Sequence, residues 1–316
     1  MSRPTAIFLV LLSALGFGSI AFFAKIAYAS GTSPSALLAL RFGLAVFMLA
    51  PLVWVKRLRL PRGGVLAGYI LMGCLYTAQA QSYFNALLYA SSGLVALLLY
   101  IYPVLVTLFA VFLGWEKADR RSLVLTAMAC LGLAVTLGGK LQGRPAGIAL
   151  GILAAAIYAV YILIGNKLSR DTHPLSASLV ILATAACGNT LLAMSSGASL
   201  PGNFVGWMSI GAIALFSTGM AIAFFLTGVK VIGASQASIL STLEPVLTLT
   251  IGVLLLGEHV SGTQLFGGAM VLVAVGLLAQ RPAPVQTVET TEAAKEMAKE
   301  TAQKTVQEAV QEAVIS

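Results

Sequence analysis

Pro103-Val104-Leu105 recurs as Pro245-Val246-Leu247, and a single offset of 142 residues carries the match onward. It lays Val111 on Val253, Leu113 on Leu255, Glu116 on Glu258, Ala127-Met128 on Ala269-Met270 and, near the start of the chain, Lys25 on Lys167. Both tracts lie inside apolar stretches long enough to form helices across a bilayer. The chain is therefore built from two copies of one unit.

Composition says what surrounds those copies. Hydrophobic residues make up 59% of the chain and charged residues 9%, with a mean hydropathy of +0.94. No soluble core hides that much apolar surface, so lipid must cover the remainder. A helix needs roughly 20 mainly apolar residues to cross a hydrocarbon layer about 30 Å thick. Ten such stretches can be cut, at 5–28, 34–55, 64–88, 91–114, 121–139, 145–166, 174–196, 203–229, 234–256 and 261–280. The short alternating segments of a membrane barrel are absent. The expected fold is an all-α membrane protein of ten transmembrane helices, arranged as two inverted five-helix repeats around a central cavity. Residues 1–142 form the first repeat and 143–282 the second. Residues 283–316 form a polar cytoplasmic tail, helical or disordered, in which Val306, Val310 and Val314 make a partial apolar stripe.

Short loops make neighbouring spans antiparallel and let loop charge set orientation. With the N-terminus inside, the inner face collects Lys56, Arg57, Arg59, Arg62, Lys117, Arg120 and Arg121, whereas the outer face holds Lys25, Lys140 and Arg144. Both termini are expected in the cytoplasm. The net charge of +8 is thus spread over separate loops on one face, a pattern that argues against nucleic acid as a partner. Arg3 precedes a first apolar segment that is too long, and too closely followed by others, for a cleaved leader, so it is retained as helix one. Cys74, Cys130 and Cys187 all fall within spans, as small packing residues with no disulfide framework. His173 and His259 lack metal-ligand spacing, so no metal is expected. Glycine runs such as Gly16-Phe17-Gly18-Ser19, Gly132 to Gly139 and Gly267-Gly268-Ala269 suit close helix contact. A phosphate loop needs a strand-to-helix context they lack. No cofactor is expected, and the spans lack the nucleophile–base pairs of an enzyme.

Five spans per copy is an odd number, so the second copy runs upside down relative to the first. Lys25 is then outside and its counterpart Lys167 inside. Two inverted units packed about a pseudo-two-fold axis open to alternate sides by exchanging conformations, with substrate near the midplane between them. Because one chain already supplies both halves, a functional monomer is expected, with membrane lipid and a small-molecule substrate as its partners.

The paired tracts Pro103 to Glu116 and Pro245 to Glu258, the second ending Leu255-Leu256-Gly257-Glu258, resemble the EamA branch of the drug/metabolite transporter superfamily over about residues 5 to 280. Within it, the stretch Gln79 to Tyr102 is most similar to YddG-type bacterial exporters of aromatic amino acids. The resemblance implies a basket-shaped bundle in the bacterial inner (plasma) membrane. Spans 1, 3, 4, 6, 8 and 9 surround its cavity, and spans 5 and 10 lie outside. It also implies export of amino acids and related metabolites. Where aromatic-exporting members carry a histidine on helix three, this chain has Gln79 and Ala80.

Candidate site residues follow from what is costly in lipid. Glu244 sits deep in the ninth span, where an exposed carboxylate costs several kcal/mol, so it must face protein or water. It either meets a substrate ammonium or a proton, or is a structural carboxylate, paired with Arg41 or bonded to backbone opened by Pro245. Tyr102 is its counterpart in the first repeat. Tyr76, Gln79 and Tyr83 share a face of span three, with Tyr100 and Tyr102 approaching from span four and Tyr158 and Tyr161 from span six. Aromatic faces with polar tips suit a metabolite with an apolar body, although tyrosines in spans also serve as packing or interfacial belts. Gln79, Tyr83, Tyr100, Tyr102, Tyr158 and Glu244 are the expected substrate-binding residues. Asn85 either joins them or caps local packing. Lys25 and Lys167 are expected to snorkel toward headgroups or to serve a gate. Glu116 and Glu258 are expected to fix turns. The alternative function is proton-coupled export of cationic drugs through Glu244.

Overall fold

The computed structural model describes residues 2–114, 120–138, 143–168, 172–232, 240–241 and 243–279. The tail 283–316, Glu116 and the side chain of Lys167 lie outside the described residues. The described residues are helices joined by turns and loops, with no strand among them beyond an isolated bridge between Ala90 and Gly143. Six helical stretches are long and apolar enough to cross a membrane: Arg3–Ala29, Pro34–Val55, Ser92–Phe112, Pro145–Gly165, Pro174–Ser195 and Phe204–Phe225. The helix Gly63–Tyr89 is longer than several of these, at 27 residues, but Gln79, Gln81, Ser82 and Asn85 dilute its apolar character. Shorter apolar helices cover Leu123–Thr136, Leu243–Leu256 and Gly262–Leu277.

Three of the expected spans are not single helices. The first breaks at Ser19 into α1 (Arg3–Gly18) and α2 (Ile20–Ala29). The Ser19 hydroxyl donates back to the Gly16 carbonyl at 2.8 Å and also meets the Ser217 hydroxyl at 3.0 Å, which steadies the break from both sides. The fourth breaks between α5 (Ser92–Leu99) and α6 (Tyr102–Phe112), where Pro103, in the first turn of α6, has no N–H to continue the ladder. In the eighth, the π-helical segment Leu215–Met220 separates α10 (Phe204–Ala214) from α11 (Ala221–Ile232). The remaining helices are α3 (Pro34–Val55), α4 (Gly63–Tyr89), α7 (Arg120–Gly138), α8 (Pro145–Leu168), α9 (Pro174–Ser195), α12 (Leu243–Leu256) and α13 (Gly262–Ala279).

Their starts carry recognisable caps. Ser33 accepts from the Ala36 N–H ahead of Pro34 on α3, Ser91 from the Leu94 N–H on α5, and Asn203 from the Gly206 N–H on α10. His173 does the same for α9 through Nδ1, accepting from the Leu175 N–H, so this histidine has a structural task. The core gathers Leu37, Leu38, Phe42, Phe84, Val95, Leu98, Ile210 and Ile213, all buried. The outer surface is apolar as well: Phe112 is 89% and Trp54 82% exposed, as expected where lipid rather than water is the solvent. Cys74, Cys130 and Cys187 are free and sit on that surface rather than in the packing.

Small residues set the closest helix contacts. A Cβ at Gly18 would meet the Glu244 carbonyl at 3.0 Å and Leu247 Cβ at 3.1 Å, so α1 reaches α12 only because residue 18 has no side chain. Gly132 and Gly267 bring α7 and α13 together in the same way, a Cβ on Gly267 running into the Gly132 carbonyl.

Candidate functional site

Two of the three helix breaks border a cavity of about 220 Å³. Its wall includes Phe17 and Ile20 flanking the Ser19 break, and Leu99, Tyr100 and Tyr102 at the break between α5 and α6. Tyr76, Gln79, Ala80, Tyr83 and Phe84 come from α4, Tyr158 from α8, Arg41 from α3 and Glu244 from α12. Gln79, Tyr83, Tyr100, Tyr102, Tyr158 and Glu244 are therefore brought together around one space. Tyr161 stands behind this wall, its ring stacked on Tyr158 at 5.8 Å and against Tyr76 at 5.7 Å. Asn85 does not line the cavity; it donates to the Gln81 carbonyl and side chain on its own helix.

The aromatic rings form a chain around the space. Tyr100 meets Tyr102 edge-on at 6.2 Å, Tyr102 meets Tyr158 at 4.7 Å, and beyond Tyr161 the sequence of contacts closes through Tyr76 onto Phe42 at 5.2 Å. Such contacts hold rings in place while leaving faces open to a flat or apolar ligand.

Two charges face the same cavity without pairing with each other. Glu244 Oε2 accepts from the Tyr100 hydroxyl at 2.8 Å, and the same hydroxyl lies 3.0 Å from the Ser241 carbonyl, so one proton serves two acceptors. Oε1 of Glu244 has no hydrogen-bond partner among the described residues. Arg41 is 6% exposed; its Nε donates to Thr218 Oγ1 at 3.2 Å. Thr218 belongs to the π-helical segment, a local widening of the kind often found at functional sites. The Arg41–Glu244 pair, one of the structural possibilities raised by the sequence, is not formed. Arg41 also brings span 2 into a wall that the resemblance assigned to other spans. A lone cation within the apolar second span, two turns from its start, was the signal that could have flagged it.

Lys25 and Glu258 correct two expectations. Lys25 does not snorkel: its Nζ donates to Glu258 Oε1 at 2.8 Å, the ion pair found among the described residues. Glu258 does more than fix its own turn. It also accepts from the Ser92 N–H at 2.8 Å, the Ser92 hydroxyl at 2.8 Å and the Gly93 N–H at 3.5 Å. The carboxylate thereby caps the start of α5, where free N–H groups and the helix dipole favour an anion. Burial pushes the Glu258 carboxyl pKa up, but the Lys25 ammonium and the Ser92 donors outweigh it and hold the value below the ordinary 4.5.

Among the described residues no group of histidine, cysteine and carboxylate side chains is placed to hold a metal. What the cavity offers is binding: aromatic faces, an amide, and two opposite charges with free hydrogen-bonding capacity.

The EamA-like transporter family model matches residues 4–138 and again residues 145–280. The chain belongs to the EamA-like transporter family. It is a multi-pass membrane transporter, and the family implies a small-molecule substrate and no enzymatic chemistry. A Bacillus subtilis protein named uncharacterized transporter YcbK is 27% identical over 290 residues, covering 85% of this chain and 91% of the relative. An uncharacterized transporter of Archaeoglobus fulgidus is 27% identical over 205 residues, 63% of this chain and 71% of the relative. A solved crystal structure aligns with a TM-score of 0.59 at 22% identity over 89% of this chain and 99% of the other, a likeness of fold alone.

Proposed function

We propose that this EamA-family chain is a secondary carrier that exports amino acids, chiefly aromatic and other large apolar ones, and related small metabolites from the cytoplasm by alternating access. The observation that carries the reading is the cavity itself. Its volume of about 220 Å³ is smaller than the roughly 300–1,000 Å³ usual for drug-sized ligands, and its wall combines stacked tyrosines with an incompletely bonded carboxylate. An apolar side chain packs against Tyr102 and Tyr158, the Gln79 amide and the Tyr83 hydroxyl meet polar atoms, and Glu244 receives an ammonium. In this reading ten spans form two inverted repeats, both termini are cytoplasmic, the membrane is the bacterial inner membrane, and one chain is sufficient. The tail after residue 282 is dispensable for transport.

A second reading, proton-coupled export of cationic drugs, draws on the open oxygen of Glu244. Both are tested by uptake of a panel of labelled amino acids and a cationic dye into liposomes holding the purified protein, with and without a pH gradient. Saturable movement of leucine or phenylalanine without a gradient supports the first reading. Dye movement that requires the gradient, with no amino acid moved, replaces it with the second.

A further inference from the structure

The cavity holds a cation, Arg41, as well as the anion Glu244. Arg41 is almost wholly buried, at 6% exposure, yet it lines the cavity. Three contacts fix the plane of its guanidinium: Nε donates to Thr218, and the group lies 5.4 Å from the centre of the Phe42 ring and 5.5 Å from that of Phe84. None of these is an anion. The terminal nitrogens have no acceptor among the described residues, so four of the five N–H donors of the fork are unspent. A desolvated guanidinium is thus held in place at the cavity wall, with no carboxylate in ion-pair contact with it among the described residues. Buried charges are stable when paired, and a planar fork with free parallel donors matches the two oxygens of a carboxylate.

We propose that Arg41 is the carboxylate anchor of the cavity and restricts the substrate class to molecules that carry a carboxylate. The inference rests on the reading of this cavity as the transport site and adds the group that sets its selectivity. An amino acid then lies between two poles, its carboxylate on Arg41 and its ammonium on Glu244, with the side chain among the tyrosines. A molecule with the same apolar body but no carboxylate leaves the guanidinium unpaired and brings a cation toward it. The cavity discriminates against amino-acid amides and decarboxylated amines.

The test uses the purified full-length chain and probes that share one apolar body: phenylalanine, its amide and 3-phenylpropionate, with leucine and its amide in parallel. Binding is read by titration of the melting temperature and, for the amino acids and amides, by competition against labelled uptake in liposomes. In the unsubstituted protein the amides bind about 10- to 100-fold more weakly than the acids, the loss expected when a charge-assisted bidentate contact is removed. Arg41→Gln abolishes that difference, and Arg41→Lys, which keeps the charge without the fork, retains part of it. If Arg41→Gln does not fold, the acid-against-amide comparison on the unsubstituted protein decides alone.

Equal binding of acid and amide by the unsubstituted protein overturns the anchor, as does discrimination that survives in Arg41→Gln. Transport that accepts acid and amide alike removes the anchor and leaves the carrier reading standing. Arg41-dependent binding of phenylalanine and phenylpropionate, with no uptake, leaves the anchor standing and removes the carrier reading. Failure of every probe to bind overturns both.

Discussion

Glu244 and Glu258 stand at opposite ends of α12, and the protein treats them in opposite ways. Glu258 is saturated by an ammonium, two backbone N–H groups and a hydroxyl drawn from α2 and the start of α5. Glu244 holds one phenol and keeps an oxygen open to the cavity. A carboxylate has about four lone-pair positions, so the first has nothing left to offer a ligand and the second has most of its capacity free. The saturated one is a joint between helices; the open one is placed to receive a ligand.

Breaking the open carboxylate should give the larger functional effect. Glu244→Gln is expected to lower initial rates of amino acid uptake about 30-fold or more, the effect of losing a buried charged contact worth roughly 2 kcal/mol or more. Its melting temperature should change little, because among the described residues the side chain is bonded only by Tyr100. Glu258→Gln has the converse signature. Loss of charge-assisted hydrogen bonds to Lys25 and Ser92 is expected to lower stability by about 1.5–3 kcal/mol, read as a fall in melting temperature in detergent, while affinity for substrate is retained.

Acid sharpens the same contrast. With its folded pKa held below 4.5, Glu258 contributes stability that is fully present above that value and is lost as pH falls through the folded value. The melting temperature of the unsubstituted protein should therefore fall faster than that of Glu258→Gln on acidification below about pH 4.5, until the two curves approach each other. The smallest effect is expected from Tyr100→Phe, which removes the one donor to Glu244 among the described residues. A net hydrogen-bond contribution of about 0.5–1.5 kcal/mol corresponds to roughly a two- to tenfold weaker apparent affinity, measured by competition with labelled amino acid.

The all-helical membrane character was legible because it rests on bulk quantities, composition and the 142-residue offset, that no local detail disturbs. The break between α5 and α6 has a cause visible in the sequence, since Pro103 lacks the backbone N–H that would continue the helix. The break at Ser19 and the π-helical segment at 215–220 were not legible, since neither contains a proline and both depend on partners far away in sequence, Ser19 on Ser217 and Thr218 on Arg41. The aromatic and carboxylate residues around the cavity could be named from the sequence because deep polar groups and helical spacing mark them. Arg41 could not be separated from a pairing partner of Glu244, because which of two charges a buried cation meets is a matter of tertiary distance. The snorkelling alternative for Lys25 failed for the same reason: at a helix end, lipid headgroups and a distant carboxylate compete, and only packing brings Glu258 to it.

The most direct test is the ligand-induced rise in melting temperature of the purified protein, titrated side by side for the unsubstituted chain, Glu244→Gln and Glu258→Gln with the same amino acid. A saturable rise that survives in Glu258→Gln from a lower starting temperature, and is lost in Glu244→Gln from an unchanged one, is the predicted result. A rise that persists in Glu244→Gln with undiminished affinity would contradict the assignment of this carboxylate, and of the cavity it faces, to substrate.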